Sequence, residues 1–276
     1  MKKMVCACFL IVVAELCASA APNTSTDESR LSYFIEPVLQ KGLGGIAYDL
    51  SANAGGGNSY LSRLEFPQIP LEAGIVVGAA MERGGKRQWL IEAGFSHSTL
   101  PLTGTMTDSD WVLIPPYPKM LFSYSESNDA TVSWRASLEA AWTFASSGAW
   151  SISLYAAYRY QSLSHVENTL IGWGWDPTLL PNPTVGSNAS SASDILEYTL
   201  TAHEPGLGLM ADVQVLTGLS LELRAAFTPV YVSDVDDHKL RSKLSTAEGW
   251  GAGLYADFRG KYQFPQYYKG FPPILL

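Results

Sequence analysis

Cysteine is nearly absent from this chain. Its only three, Cys6, Cys8 and Cys17, fall within the first twenty of 276 residues. If those residues leave on export, disulfides, thiolate metal sites and cysteine nucleophiles are excluded from the rest. Basic side chains are also scarce: 18 Lys and Arg stand against 26 Asp and Glu, a formal net charge of −8. No cluster of Lys and Arg occurs. Nucleic acid is thereby excluded as a partner, because binding it needs a basic stripe, whereas basic peptides would be attracted. Long apolar runs are missing too. Nothing after the start approaches the roughly 20 apolar residues of a membrane-spanning helix.

The start is built in three parts. Met1-Lys2-Lys3 is basic, Met4 to Ala14 is apolar, and Ala18-Ser19-Ala20-Ala21 is small. That order is the layout of a secretory signal peptide with an A-x-A cleavage site. We therefore read 1–20 as a signal peptide and 21–276 as one exported domain.

Alternation with period two dominates the rest of the chain. Trp89, Ile91, Ala93 and Phe95 alternate with Leu90, Glu92, Gly94 and Ser96. Similar runs start at Trp134, Trp150, Leu207, Leu219 and Trp250. In a strand, alternate side chains face opposite ways, so each run has one apolar and one polar or small face. A soluble β-sandwich also alternates. Two features favour a membrane barrel: the second face carries Gly, Ala and Ser beside its charges, and the apolar face often ends in Trp, Tyr or Phe. The fold class expected is all-β, an antiparallel transmembrane β-barrel. About eight strands are evident, at 34–48, 60–82, 88–99, 120–145, 149–166, 196–215, 219–234 and 246–264.

The connections alternate between tight and long. Arg83-Gly84-Gly85-Lys86, Ser146-Ser147-Gly148 and Leu216-Thr217-Gly218 are tight. Ser51 to Asn58, Pro101 to Met120, Asn168 to Asp194 and Asp234 to Ser245 read as long loops. This is the short-periplasmic, long-extracellular pattern of a bacterial outer-membrane barrel. Localisation in the cell outer membrane is the expectation, with outer-membrane lipid as one partner.

Two acidic clusters fall where long loops meet strands: Asp108-Ser109-Asp110-Trp111 and Asp234-Val235-Asp236-Asp237-His238. Asp108 and Asp110 share a face in an extended segment, as do Asp236 and His238. A carboxylate that orients a His makes it a general base. The two pairs facing each other could hold one water, with His238 taking its proton. The plainer readings are solvated acidic loops, common on barrels, or a D-x-D calcium pattern. His97, His165 and His203 read as structural. Glu92, Glu139, Asp212, Glu222, Arg135, Arg159 and Arg224 read as a lumen network of paired charges. The Asn23-Thr24-Ser25 and Asn188-Ala189-Ser190 sequons read as chance matches.

At these residues the chain resembles the omptin family of outer-membrane aspartyl-histidine proteases. The segments that carry the resemblance are TMTDSDW (Thr105 to Trp111) and SDVDDHKLRSKL (Ser233 to Leu244). YLSRLEF (Tyr60 to Phe66) and AHEPGLGL (Ala202 to Leu209) add to it. The resemblance implies an aspartic-type endopeptidase whose catalytic residues are Asp108, Asp110, Asp236 and His238. It implies that Asp49 and Asp234 bind a basic side chain, so that basic peptides or proteins are cut beside Arg or Lys. Asp49 stands where the family has the longer Glu. No metal or other cofactor is implied, lipopolysaccharide is a possible activator, and the active site faces outward on a monomer. Of the family's alternating Tyr, Glu and Arg that contact this lipid, Tyr158 matches and Tyr160 and Ser162 do not. The family's barrel has ten strands where about eight are evident here. The alternative is a catalytically silent barrel acting as adhesin or structural protein.

Overall fold

The computed structural model describes residues 3–5, 12–15, 29–41, 45–67, 71–84, 86–100, 102–175, 185–190, 195–239 and 242–262. The cysteines, Ala18 to Ala21 where cleavage is expected, the Asn23 sequon and the residues after 262 lie outside them. Among the described residues there is no α-helix, and nearly all are strand. Two short strands lie in the first twenty residues, β1 (Lys3–Val5) and β2 (Val12–Glu15). Next come β3 (Ser29–Lys41), β4 (Gly45–Gly55), β5 (Asn58–Pro67), β6 (Leu71–Arg83), β7 (Lys86–Leu100) and β8 (Leu102–Leu113). The long strands are β9 (Met120–Ser147), β10 (Trp150–Trp175), β12 (Leu196–Leu216), β13 (Leu219–His238) and β14 (Lys243–Tyr262), with the short β11 (Val185–Ser190) after β10.

The pairings make two tiers. In the lower tier β3 pairs β6, β6 pairs β7, and β7 pairs β9 from Trp134 to Trp142. In the upper tier β4 pairs β5, β5 pairs β8, and β8 pairs β9 from Met120 to Thr131. β10, β12, β13 and β14 continue from β9 in order. All these ladders are antiparallel. The hairpin of β3 and β6 carries into that of β4 and β5, since Lys41 faces Leu71 and Gly45 faces Pro67. Joining β3 to β4, β5 to β6 and β7 to β8 gives eight long tracks. No counterpart of a ninth or tenth occurs among the described residues.

Several expectations change. Of the expected long loops, Asn168 to Asp194 continues β10 to Trp175 and contains β11, and Asp234 to Ser245 is strand up to His238 and again from Lys243. The strand expected at 34–48 is divided between β3 and β4, and that at 60–82 between β5 and β6. Ser51 to Asn58 is not a long loop but two strand ends around Gly56-Gly57, whose φ angles of 61° and 85° suit a residue without Cβ. Pro101 to Met120 is mostly β8, leaving a short connection that contains the cis Pro115-Pro116 bond.

The sheet curls until side chains from distant strands meet. Arg224 of β13 reaches Glu92 of β7 at 2.6 Å and Glu139 of β9 at 2.5 Å. Its other partner, Glu222, lies at 2.5 Å. Arg159 bonds Glu139 at 3.1 Å, Arg135 faces Glu72 at 3.3 Å, and Arg87 bonds Asp212 and Glu222. The charged network expected from sequence is therefore present, with Glu72, Arg87 and Arg259 added to it.

The other face is the reverse. In the lower tier, Leu31, Ile35, Ile75, Ile91, Leu138, Leu154, Leu209 and Phe227 are exposed. An aromatic row crosses this face from strand to strand. Phe95 contacts Trp134 at 6.3 Å, Trp134 contacts Tyr160 at 4.6 Å, and Tyr160 contacts His203 at 5.0 Å. His203 contacts Tyr231 at 6.0 Å, and Tyr231 contacts Trp250 at 5.1 Å. Near the tight turns the same face carries Trp89, Trp142, Phe144 and Trp150. Between the two rows it holds no charged residue on β7, β9, β10, β12, β13 or β14. Above the upper row it turns polar, with Ser162, Ser164, Thr199, Thr201, Ser233 and Glu248.

The edges of this curled sheet meet through β2. β2 pairs β3 from Val12 to Glu15, and touches β14 through one parallel pair, Val12 with Phe258.

Arg224→Ala should leave Glu92, Glu139 and Glu222 facing one another without their shared cation. Breaking a buried charge set in this way costs about 3–5 kcal/mol. The unfolding midpoint of refolded protein in detergent, followed by tryptophan fluorescence, should fall accordingly. An unchanged midpoint would show that these carboxylates do not depend on Arg224.

Candidate functional site

Register builds the site in rows. On the enclosed face, Asp129, Glu167, Leu196 and His238 lie opposite one another across β9, β10, β12 and β13. The next row holds Thr131, His165, Tyr198 and Asp236, and the one below it Ser133, Leu163, Leu200 and Asp234. Residues directly opposite share a face, so Asp234, Asp236 and His238 all point inward.

β8 brings the other acids. Asp108 lies opposite Leu64, and Asp110 opposite Ser62. Leu64 and Phe66 are buried, so this is the enclosed side of β5. Ser62 Oγ donates to Asp108 Oδ1 at 3.3 Å. Both acids sit on a strand rather than on the loop expected for them, and the same holds for Asp234, Asp236 and His238 in β13.

The Asp-His pair is formed. His238 Nε2 lies 3.2 Å from Asp236 Oδ2. Asp236 is almost buried, and its Oδ1 has no hydrogen-bond partner among the described residues. Asp234 is buried two residues away.

Asp49 goes elsewhere. It lies opposite Arg63, which donates from Nε at 2.6 Å to Oδ1 and from Nη2 at 2.9 Å to Oδ2. Arg63 neighbours inward-facing Leu64, so it and Asp49 occupy the other face of the sheet. The two residues expected to share a substrate pocket, Asp49 and Asp234, are thus on opposite faces. The hydrogen bond from Arg63 holds the Asp49 carboxyl below its ordinary pKa, against a smaller opposing effect of burial.

Among and beneath the acids the enclosed face carries aromatic and aliphatic packing. Phe66 of β5 stacks on Tyr198 of β12, with centroids 4.6 Å apart and planes within 13°. It also contacts the His165 ring at 4.8 Å. Leu64, Met106, Leu163, Leu196, Leu200, Val230 and Val232 complete this floor. It lies between Asp108, Asp236 and His238 and the charged network, whose Glu72 reaches up to Ser133 in the row of Asp234.

Sequence reasoning did not single out a further group. His165 and Asp129 are fully buried and joined, His165 Nδ1 to Asp129 Oδ2 at 2.8 Å. Thr131 Oγ1 also donates to Asp129 Oδ2, at 2.9 Å. Ser127 Oγ donates to Glu167 Oε2 at 2.7 Å. Burial pushes the Glu167 carboxyl up to about 8, aided by the nearby Asp129, Asp108 and Asp236 and opposed by the Ser127 bond. His97 is exposed on the outer face, and His203 lies in the aromatic row with Nδ1 2.7 Å from Tyr158 Oη. Among the described residues no group of three or more His, Cys, Asp or Glu is arranged to hold a metal ion.

The arrangement can polarise a water. It offers one oriented imidazole, two carboxylates on β8, and a dry floor that strengthens electrostatic interactions. Phe66→Ala should open that floor, lowering stability by about 3–5 kcal/mol as large-to-small core changes do. Chemical unfolding of the refolded protein measures this, and a loss below about 1 kcal/mol would show that Phe66 does not seal the floor.

Compared with known protein families and with curated proteins, the chain gives no match to either.

Proposed function

We propose that this chain is an exported outer-membrane β-barrel that cleaves peptides beside Arg or Lys. The membrane reading rests on the reversed faces: charge inside, uncharged apolar surface outside, an aromatic row at each border. From Trp150 to Tyr160 is ten residues along β10. That is about 33 Å of strand, or about 25 Å of height at a tilt near 40°, which matches the apolar band of an outer-membrane barrel. Lipid cannot satisfy an open sheet edge, so β3 and β14 must be paired. β14 runs parallel to β2, and β2 antiparallel to β3. The free edges of β3 and β14 therefore have the antiparallel sense needed to join once the leader is cut. Eight strands would then close the barrel, with the acidic site on the outward side, away from the tight turns.

The catalytic reading is carried by one observation. The Asp236–His238 pair and the Asp108–Asp110 pair face the same enclosed space above a common dry floor. A water held by the aspartates loses a proton to His238 while its oxygen attacks the peptide carbonyl. Asp236 holds Nε2, leaving Nδ1 to accept that proton and later return it to the departing amine. Asp234 and the net charge of −8 favour a basic side chain next to the cut. No cofactor enters this chemistry, and lipopolysaccharide is a possible activator.

A second reading is supported by Asp49. Its bidentate pairing to Arg63, on the outer face, takes it away from substrate. A silent barrel serving as adhesin or structural protein would tolerate that.

The mature chain, refolded in detergent with and without lipopolysaccharide, should cleave a fluorogenic peptide containing Arg-Arg. His238→Ala and Asp108→Ala should each lower the rate by about 10²–10⁴, the usual worth of general-base catalysis. Wild-type cleavage no faster than that of both variants would overturn the protease reading and leave the silent barrel.

A further inference from the structure

We infer that Glu167 is held as a neutral carboxylic acid by Asp129 opposite it, and that this proton keeps the Asp108, Asp236 and His238 site in its working charge state. Glu167 is then a positioning residue, and its role in the reaction rests on the hydrolysis proposed above. The number of partners to each carboxyl favours Glu167 as the one that carries the proton. Asp129 and Glu167 are direct cross-strand partners on the enclosed face. Such pairs have Cβ atoms about 4.5–5.5 Å apart, and like charges there destabilise each other. Both side chains are buried. Asp129 Oδ2 faces two groups, His165 Nδ1 at 2.8 Å and Thr131 Oγ1 at 2.9 Å, which suits an anion. Glu167 has a single hydroxyl, Ser127 on Oε2, and the buried Oε1 of Glu167 and Oδ1 of Asp129 both have no hydrogen-bond partner among the described residues. With both ionised, two unmatched anionic oxygens would be buried; one proton relieves that cost, and it falls on Glu167, which has one partner against two for Asp129.

The surroundings point the same way. Asp129 faces Glu167 from β9, His165 lies on its own strand, and Tyr198 faces the His165 position from β12. Asp108 of β8 and Asp236 of β13 both act to raise its proton affinity, and His238 lies two strands away in the same row. Burial and these acids place its titration at about 8. It lies seven residues beyond Tyr160 of the upper aromatic row, outside the apolar band. On losing its proton it would add an anion beneath the point where the peptide carbonyl gains negative charge. Opposing that charge slows hydrolysis.

Glu167→Gln fixes the neutral form at nearly the same shape. Its rate at pH 7 should lie within about twofold of wild type, because wild type is mostly protonated there. Above pH 8 the wild-type rate should fall up to about tenfold per pH unit, while the variant stays level. A second readout needs no catalysis. Infrared spectra of the refolded protein should show a protonated-carboxyl carbonyl band that vanishes as pH rises through about 8 and is absent from Glu167→Gln. Asp129→Asn removes a repelling anion and should move that transition to lower pH.

Loss of the band already below pH 6, or identical alkaline limbs for wild type and Glu167→Gln, would overturn the inference. The band titrating as described in a protein that cleaves nothing would support the proton's placement and refute the protease reading alone. If Glu167→Gln fails to refold, the wild-type band and its shift in Asp129→Asn decide the placement.

Discussion

The guanidinium of Arg224 is fully buried, and Glu92, Glu139 and Glu222 reach it from three strands. Burying that many charges is tolerable only because each finds an opposite partner. Glu92 and Glu139 come from β7 and β9, which lie away from β13 along the sheet, so the neutralised set exists only when the sheet curls. Arg87, Arg159 and Arg259 extend it with Asp212, Glu139 and Glu92. Once charge occupies the enclosed side, strand alternation sends the apolar residues outward. The exposed Leu154, Leu209 and Phe227 are thus the other half of the same constraint. A water-facing surface of that composition would be a large exposed patch. In lipid it is the expected one.

The site depends on the same alternation one tier higher. Asp108, Asp110, Asp236 and His238 share the enclosed side with Arg224, yet the floor around Phe66 and Tyr198 separates them from it. Without that floor, the arginines below would be free to pair with the upper acids. The division lets one face hold a neutral structural network and an acid-rich site together. Asp49 shows the constraint from the opposite direction. One residue of register places it on the outer side, where Arg63 neutralises it.

Much of this was legible in the sequence, for a physical reason. Where one face meets apolar surroundings and the other a charged interior, the period of two is strong, and the strands from Trp89, Trp134, Trp150 and Leu219 could be read directly. The charged network could be named for the same reason. In the upper tier β8 was not legible as strand, because both of its faces are largely polar. Thr105, Thr107 and Ser109 alternate with Met106, Asp108 and Asp110, and such a segment reads as a loop. The pairs Asp108–Asp110 and Asp236–His238 could be found because their spacing is local. Asp129, His165 and Glu167 could not, since what makes them notable is cross-strand register, which brings together residues 36 apart.

In the barrel proposed above, the enclosed face is polar and the outer face lies in lipid. Single cysteines placed in turn along β13, as Leu223→Cys, Ala225→Cys and Phe227→Cys outward and Ala226→Cys and Thr228→Cys inward, would carry a fluorescent label in a background with Cys6, Cys8 and Cys17 absent. In vesicles of brominated lipid, the account predicts quenching that alternates with period two, strong at 223, 225 and 227 and weak at 226 and 228. Equal quenching at all five positions, or quenching only by a water-soluble agent, would contradict it.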